Sequence, residues 1–372
     1  MGQNLAAHSI PALLADRGHA GRAIVYNSAA SHDEIRFERL LRCAATLSRD
    51  LSRAGVDEGR PIASVLPTSF DALVIILAAW MHRSPVCLLP WQMRGHVRHA
   101  ALLRDTLGCV APGVTFVPKG QRHPGEGRCA ATPLCHAIEP GQLLSDDGSP
   151  IRWNSVPDDL AILQLSSGTT GRPRLIPITH AHLVANATAI AERAGTGPDT
   201  PIVSWMPLHH DMGLGVFTQA LFGGGDLIML PTEVFSATPW SWLTAIQTHR
   251  GAPSTATPSS LRLLGLLASR GARPRVDLSS LGYVWVGAEP VFPHALIRFE
   301  EGLRADRLGE WVLQPAYGLA EASSRRRLAG AGRHAWNWGS IRNSCWPDES
   351  CHVTGPGLAG CSGTVLRWIA CT

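Results

Sequence analysis

Lysine is almost absent from this sequence. Of its 372 residues one is lysine, Lys119, whereas 32 are arginine and 29 are acidic, which leaves a formal net charge of +4. The last fifty residues supply this excess, because they hold six arginines against Asp348 and Glu349. The sequence has no basic stripe interleaved with aromatic residues, the pattern that is typical of nucleic-acid binding. We therefore expect no nucleic acid among the partners of this protein.

Long apolar runs are missing as well. The longest run, 72–81, has about half the length of a membrane span. Asp16 and Arg17 occur early in the chain, and no apolar core of signal-peptide length is present. These features predict a soluble, cytoplasmic protein without a membrane span.

The nine cysteines form no Cys-x-x-Cys pair and no Cys/His cluster with metal-ligand spacing. Cys43, Cys87 and Cys109 lie among apolar residues, and we predict that all three are buried free thiols. With 45% apolar residues the chain can bury a substantial core, and its length allows two or three domains.

Strand-like and helix-like segments alternate along the chain. We predict strands at 23–26, 61–66, 86–89, near 109–111, at 202–207, at 226–230 and from 281 to a turn at 287–290. We predict helices at 38–51, 69–82, 97–106, 240–249 and 260–269, the last of them starting within 255–259, and a loop-rich connector at 119–150. Strands separated by helices at this spacing predict parallel α/β layers.

The most informative segment begins with an apolar run, 160–165, which predicts a buried strand ending at Ser166. Six residues with a hydroxyl or no side chain follow, from Ser166 to Gly171. Such a loop lets backbone N–H groups approach an anion closely, while the hydroxyls add donors or a magnesium contact. The composition therefore predicts a phosphate-binding loop, although most loops of similar composition bind nothing.

Two prolines after this loop, Pro173 and Pro177, exclude a helix directly behind it. A Walker A loop is thereby excluded, since it needs Gly-Lys-Ser/Thr at the start of a helix, and a P-loop kinase or NTPase is disfavoured. The chain instead predicts a short strand at 175–178 and a helix with Thr179 as its N-cap, ending before Gly195.

A second segment, Trp205 to Leu214, contains His209, His210 and Asp211 in succession. Consecutive residues rarely converge on one ion, so a metal site is the weaker interpretation. The plainer interpretation is a helix N-terminus, where the charge of Asp211 is favourable.

Two further motifs lie downstream. Gly287-Ala-Glu-Pro290 follows a predicted strand and by itself indicates an ordinary turn. In Tyr317-Gly-Leu-Ala-Glu321 the tyrosine offers a flat face on which a base could stack, and the carboxylate is a group that magnesium prefers.

Taken in order, the four motifs resemble those of the acyl-adenylate-forming superfamily, which includes acyl-CoA synthetases, luciferases and peptide-synthetase adenylation domains. The loop matches Ser-Gly-Thr-Thr-Gly-Xaa-Pro-Lys, with Arg174 in place of lysine, an exchange that keeps the charge but widens the cation. The second segment is similar to the Trp-Leu-Pro-Leu-Tyr-His-Asp-Met-Gly-Leu motif of fatty acyl-AMP ligases, from which Met206 and His209 differ. The resemblance covers residues 1 to about 322.

The resemblance implies roles for particular residues. Contacts to the phosphates of ATP are implied for Ser166, Ser167, Gly168, Thr169, Thr170 and Gly171, with Arg174 as the cation of the loop. An adenine site is implied for Gly287, Ala288, Glu289, Pro290, Tyr317 and Gly318. Glu321 and Thr170 would hold Mg²⁺, and His210 would border the acyl carboxylate and the α-phosphate.

The implied fold consists of two parallel-sheet, flavodoxin-like subdomains in αβαβα layers, within an adenylating large domain at 1–322 that is incomplete. Residues 323–372 lack the family's Thr-Gly-Asp motif and its late catalytic lysine, and we expect an aberrant, disordered tail. The tail is explained either by an out-of-frame translation of a GC-rich gene, which we favour, or by a genuine appendage. On either explanation the chain is expected to be truncated.

The implied function is ATP-dependent conversion of a fatty or other carboxylic acid to acyl-AMP, for transfer to a carrier-protein thiol in lipopeptide or polyketide synthesis. Coenzyme A is the other possible acceptor. We expect the truncation to cripple the activity. The alternative hypothesis is a non-catalytic remnant that binds nucleotide or acyl chains, or the product of a pseudogene.

Overall fold

The computed structural model describes residues 14, 21–91, 97–120, 134–166, 174–271 and 273–316. They form two mostly parallel β-sheets with helices packed against them, which confirms the predicted α/β fold. Within these ranges, no helix combines the length and the apolar character needed to cross a membrane.

The strands are β1 (Arg22–Ser28), β2 (Ser31–Arg36), β3 (Ile62–Ser64), β4 (Val86–Leu88), β5 (Val114–Pro118), β6 (Cys135–Ile138), β7 (Leu160–Ser166), β8 (Arg174–Thr179), β9 (Ile202–Ser204), β10 (Leu227–Met229), β11 (Pro253–Ala256), β12 (Tyr283–Val286) and β13 (Leu313–Pro315). The seven-stranded sheet has the order β13-β12-β11-β9-β10-β1-β2 and the six-stranded sheet the order β6-β5-β3-β4-β7-β8. The pairs β1–β2 and β7–β8 are antiparallel, and the other pairs are parallel.

The helices are α1 (Phe37–Arg53), α2 (Phe70–Met81), α3 (Val97–Val110), α4 (His180–Ala194), α5 (Asp211–Gly223), α6 (Thr232–Ala237), α7 (Trp240–His249), α8 (Pro258–Ser269) and α9 (Pro293–Leu303), followed by a 3-10 turn (Arg304–Asp306). Several start where the sequence offers a cap. The side chains of Ser69, Thr179 and Thr257 accept hydrogen bonds from backbone N–H groups in the first turns of α2, α4 and α8.

The layers follow from which core each side chain joins. One core contains side chains from both sheets together with α1, α2, α4 and α5, so these helices form a central layer between the sheets. A second core joins the outer face of the seven-stranded sheet to α6–α9, and a third joins the six-stranded sheet to α3. The expected αβαβα arrangement is present. Helix α2 is buried on all sides, in agreement with its continuous apolar sequence.

Helices α6 and α9 and strand β13 were not predicted. Four further features differ from the sequence predictions. Strand β2 was not predicted, because Ile35 is its one buried residue. Strand β6 lies in the supposed connector and is exposed except at Ile138. Strand β11 is fully buried but rich in serine and threonine, and it occupies residues taken for the start of α8.

The fourth error concerns the region around Cys109. The strand predicted near 109–111 is wrong, because α3 continues to Val110, Ala111 adopts a positive φ and the strand begins at Val114. Cys109 is exposed on this helix, contrary to prediction. Cys43 and Cys87 are buried free thiols as predicted, and burial raises the pKa of Cys87 to about 12.

Candidate active site

The described parts of the motifs lie at the carboxyl ends of strands. His210 follows β9, Gly287 follows β12, and Ser166 is the last residue of β7. In the seven-stranded sheet the chain passes from β9 to β10 on one side and later to β11 on the other, so the order reverses between β9 and β11. Open α/β sheets bind ligands outside the carboxyl ends of their strands at such a reversal.

The predicted phosphate loop lies between two paired residues. Ser166 ends β7 opposite Arg174, the first residue of β8, so this hairpin brings the two ends of the loop together. The side chain of Arg174 is exposed. Residues 167–173, which include Ser167, Gly168, Thr169, Thr170 and Gly171, lie outside the described residues, and so do Tyr317, Gly318 and Glu321.

His210 is the N-cap residue of α5. Its Nδ1 lies 2.7 Å from Oδ1 of Asp211 and 3.4 Å from the backbone nitrogen of Met212. Nδ1 cannot form both hydrogen bonds at once, because it would donate to Asp211 and accept from Met212. The shorter contact assigns the Nδ1 proton to the bond with Asp211, and Met212 N–H has its own 2.8 Å bond to that carboxylate.

Asp211 carries the negative charge at this helix start. Burial acts to raise its pKa, but the hydrogen bond and charge of His210 and the backbone N–H groups outweigh burial and place the pKa below its usual value. The predicted helix N-terminus is therefore confirmed. Among the described residues, no three His, Cys, Asp or Glu side chains are arranged to hold a metal ion.

The loop before His210 is fixed within its own sheet. Ser204 Oγ lies 2.9 Å from Thr255 Oγ1 and accepts a 3.1 Å bond from the backbone of Met206. Gly213 packs against the same loop, since a Cβ at this position would lie 2.1 Å from the carbonyl oxygen of Pro207. Any side chain at 213 would push the loop outwards.

The Gly287–Pro290 turn closes against the neighbouring strands. A Cβ on Gly287 would lie 2.7 Å from the carbonyl oxygen of Ala316, the residue before Tyr317. Ala288 has a φ of 68°, which turns the chain sharply just beyond the carboxyl end of β12. Glu289 accepts hydrogen bonds from the backbone and hydroxyl of Ser259, in the first turn of α8. Within residues 287–290, for which the resemblance implies an adenine site, Gly287 thus adjoins Ala316.

A connection between the two sheets was not predicted. Gln164 on β7 donates a 2.8 Å hydrogen bond from Nε2 to the carbonyl oxygen of His209. A glutamine within an otherwise apolar run, 160–165, was the sequence signal that could have indicated a buried polar contact.

A cavity of about 270 Å³ lies where the carboxyl ends of the two sheets face each other. One wall comes from residues after β3 and β4, the other from residues after β9 and β10. The lining is mostly apolar and comprises Leu66, Pro67, Thr68, Pro90, Trp91, Pro207, Leu208, His209, Thr232 and Glu233. A mostly apolar lining with a few polar groups is typical of small-molecule sites. The volume of the cavity is close to the lower limit of the usual range of such sites.

The sequence matches a family model described as AMP-binding enzyme over residues 15–326. Long-chain-fatty-acid–AMP ligase FadD23 of Mycobacterium tuberculosis is 35% identical over 228 residues, covering 58% of this chain and 36% of the relative. Medium-chain-fatty-acid–(acyl-carrier-protein) ligase TtuA of Teredinibacter turnerae is 30% identical over 235 residues, covering 63% of this chain and 36% of the relative. The similarity thus spans little more than a third of these relatives.

A solved structure gives the same fold. The crystal structure of fatty acyl-adenylate ligase from L. pneumophila, in complex with acyl adenylate and pyrophosphate, matches with a TM-score of 0.73. The match is 21% identical and covers 84% of this chain and 56% of that chain. At this identity the likeness supports the fold and not the substrate.

Proposed function

The chain belongs to the AMP-binding enzyme family, and from this premise we propose that it activates a fatty acid with ATP, forming acyl-AMP and pyrophosphate. The observation that carries the proposal is the meeting of two segments. The strand that leads to the predicted phosphate loop contacts, through Gln164, the loop that holds His210. An enzyme that joins a carboxylate to a phosphate needs its phosphate-binding residues next to its carboxylate-binding residues.

In the proposed reaction one carboxylate oxygen of the acid attacks the α-phosphorus of ATP. The new bond is a mixed anhydride, and the bond between the α-phosphorus and the bridging oxygen to the β-phosphate breaks as pyrophosphate leaves. Such a displacement is accelerated mainly by positioning the reactants and by neutralising the developing charge. Backbone N–H groups of 167–171 and the Arg174 guanidinium are the groups that we assign to the phosphates.

His210 is assigned to the acid. When its ring is protonated, Nδ1 donates to Asp211 and Nε2 can donate to a carboxylate or α-phosphate oxygen. The contact with Asp211 restrains the ring, so the donor is oriented before the substrate binds. The mostly apolar cavity beside His209 supports an acid with an apolar chain.

The adenine is assigned to the carboxyl ends of β12 and β13 in the seven-stranded sheet. Residues 288–290 are exposed there, while Gly287 is held against Ala316. A flat group can approach such a turn closely, and Tyr317 and Gly318 are assigned to its other face. A magnesium ion at Glu321 and Thr170 would supply charge neutralisation to the phosphates.

A carrier-protein thiol is the proposed acceptor of the acyl group. Support comes from the Trp205–Leu214 motif and from the relative TtuA, whose name specifies an acyl-carrier-protein. We assign the adenylating unit to residues 1–322 and no catalytic role to 323–372.

The test is exchange of labelled pyrophosphate into ATP that depends on added fatty acid. We expect the 372-residue polypeptide to exchange slowly by itself, because it has no lysine after Lys119 to contact the acyl phosphate. We expect it to bind a non-hydrolysable acyl-sulfamoyl-adenosine, a mimic of acyl-AMP. Binding of this mimic without exchange would favour the remnant over the enzyme, and binding of neither nucleotide nor mimic would refute the proposed function.

A further inference from the structure

Gln164 is a polar residue in an apolar setting. Its side chain is buried, and it stands on β7 opposite Ile176 of β8, two residues before Ser166. Ile162 precedes it on the same face of the strand and is also buried. An aliphatic side chain would satisfy the packing of this strand without the cost of burying an amide.

The amide makes two hydrogen bonds that an aliphatic residue cannot make: a local one, 3.4 Å from Nε2 to the carbonyl oxygen of Leu165, and one to the other sheet. Nε2 lies 2.8 Å from the carbonyl oxygen of His209, in the loop after β9 of the other sheet. His209 directly precedes His210, the N-cap of α5. A shift of the His209 peptide would therefore move the His210 ring relative to β7, which ends at Ser166.

Two further described bonds of this loop come from its own sheet. Ser204 holds the backbone of Met206, and His210 N–H donates to the carbonyl of Pro207 at 3.0 Å. These bonds define the shape of the loop but do not relate it to β7. The Gln164 bond differs because it begins on the strand that enters the phosphate loop.

We propose that Gln164 is a positioning residue that holds His210 in register with the end of β7 at Ser166. The acid and nucleotide halves of an acyl-adenylate then bind cooperatively. This inference rests on the proposed function for the identity of the ligand. The claim that Gln164 holds the loop at His209 does not depend on that function.

The binding experiment compares three ligands on the full chain: AMP, dodecanoic acid and 5′-O-(N-dodecanoylsulfamoyl)adenosine, which joins the two halves. The variants are Gln164→Met, which keeps the length but removes the donor, and Ile176→Val, a control that loosens the same packing. We expect Gln164→Met to weaken the affinity for the joined ligand about tenfold. The affinities for AMP and dodecanoate should each fall less than about threefold. Ile176→Val should leave unchanged the ratio between the affinity for the joined ligand and the affinities for the two separate ligands.

Hydrogen exchange supplies a readout that needs no ligand. In Gln164→Met we expect amides of 205–212 to exchange about tenfold faster, and those of β1 to stay as in the wild type. Ile176→Val should not accelerate 205–212 selectively, even where both variants lower the unfolding midpoint equally.

The outcomes separate the two proposals. Equal weakening of all three ligands by Gln164→Met, or unchanged exchange at 205–212, would overturn the positioning role. If the wild type binds none of the ligands, the proposed function fails, and the exchange rates alone decide whether Gln164 holds the loop.

Discussion

Two histidines stand at the starts of two helices in the central layer and have opposite surroundings. His180 is the first residue of α4; it is fully buried, and neither ring nitrogen has a hydrogen-bond partner among the described residues. His210 caps α5, is partly exposed and contacts Asp211 at 2.7 Å. Both follow a strand of the same α/β fold. The same residue type in similar local positions thus serves packing in one case and a candidate site in the other.

The difference arises from the neighbours of each ring. The ring of His180 packs edge-on against Trp80, with centroids 5.7 Å apart, and Trp80 in turn stacks on Phe217 of α5. Burial lowers the pKa of His180 to about 4, although the charge of Asp159 acts to raise it. The ring of His210 lies at the carboxyl edge of a sheet, where a ligand can reach it. A histidine near a motif is therefore a site candidate only if the fold leaves it accessible.

The largest expected effect is on the pH dependence of stability, through His180→Leu. The unfolded chain takes up a proton on this histidine below about pH 6.5, whereas the folded chain does so only near pH 4, so stability falls as the pH falls between these values. Between pH 7.5 and 5 the wild type should lose about 2 kcal/mol from this group, and His180→Leu should remove that loss. Urea unfolding at several pH values measures it.

The control for this prediction is His294→Leu, a change at an exposed histidine of α9. It should retain the full acid-induced loss of the wild type. Burial also lowers the pKa values of His82 and His249, so a residual loss is expected in all three proteins. A His180→Leu curve parallel to that of the wild type would contradict the buried, neutral histidine.

His210→Ala should mainly affect binding. Loss of a charge-assisted contact to the ligand corresponds to about 2 kcal/mol, or roughly a thirtyfold weaker affinity for the acyl-sulfamoyl-adenosine. Calorimetric titration measures the affinity, with His294→Ala as the matched control at an exposed site. Unchanged affinity in His210→Ala would remove this residue from the site.

Thr179→Ala should lower stability by about 1 kcal/mol, because it deletes the N-cap of α4. Thr257→Ala makes the same change at α8, where the cap has the same pattern. Chemical denaturation should give similar losses for both. A much larger loss at Thr179 would mean that this residue also supports the buried His180.

The smallest effect is expected from Asp211→Asn. The pKa of Asp211 is lower in the folded protein than in the unfolded chain. The ionised carboxylate therefore stabilises the fold at pH values above its unfolded pKa, and this stabilisation is lost as the pH falls through its folded pKa. The pair with His210 is partly exposed, so we expect a loss of about 0.5 kcal/mol at pH 7. The difference from the wild type should disappear in acid unfolding experiments below the folded pKa, and a constant difference would contradict its electrostatic origin.

The sequence predicted well those segments in which local chemistry decides. The strand ending at Ser166, the strand after the loop and the helix capped by Thr179 all occur as predicted, because an apolar run, two prolines and a capping threonine act within a few residues. The αβαβα layers and the family were predicted from the four motifs and their order along the chain. Strands β2, β6, β11 and β13 were missed, because each is held in place by pairing with a neighbouring strand and its own sequence pattern does not predict a strand.

By itself, the sequence determined the elements around the phosphate loop, their α/β class and the residue types available for adenylation chemistry. These depend on hydrogen bonding, proline geometry and hydrophobicity over short stretches of chain. Tertiary structure alone decided that His180 is enclosed by Trp80 while His210 stays accessible, and that Gln164 reaches His209 across 45 residues. Burial and long-range hydrogen bonds depend on which strands become neighbours, and that is a property of the whole packed chain.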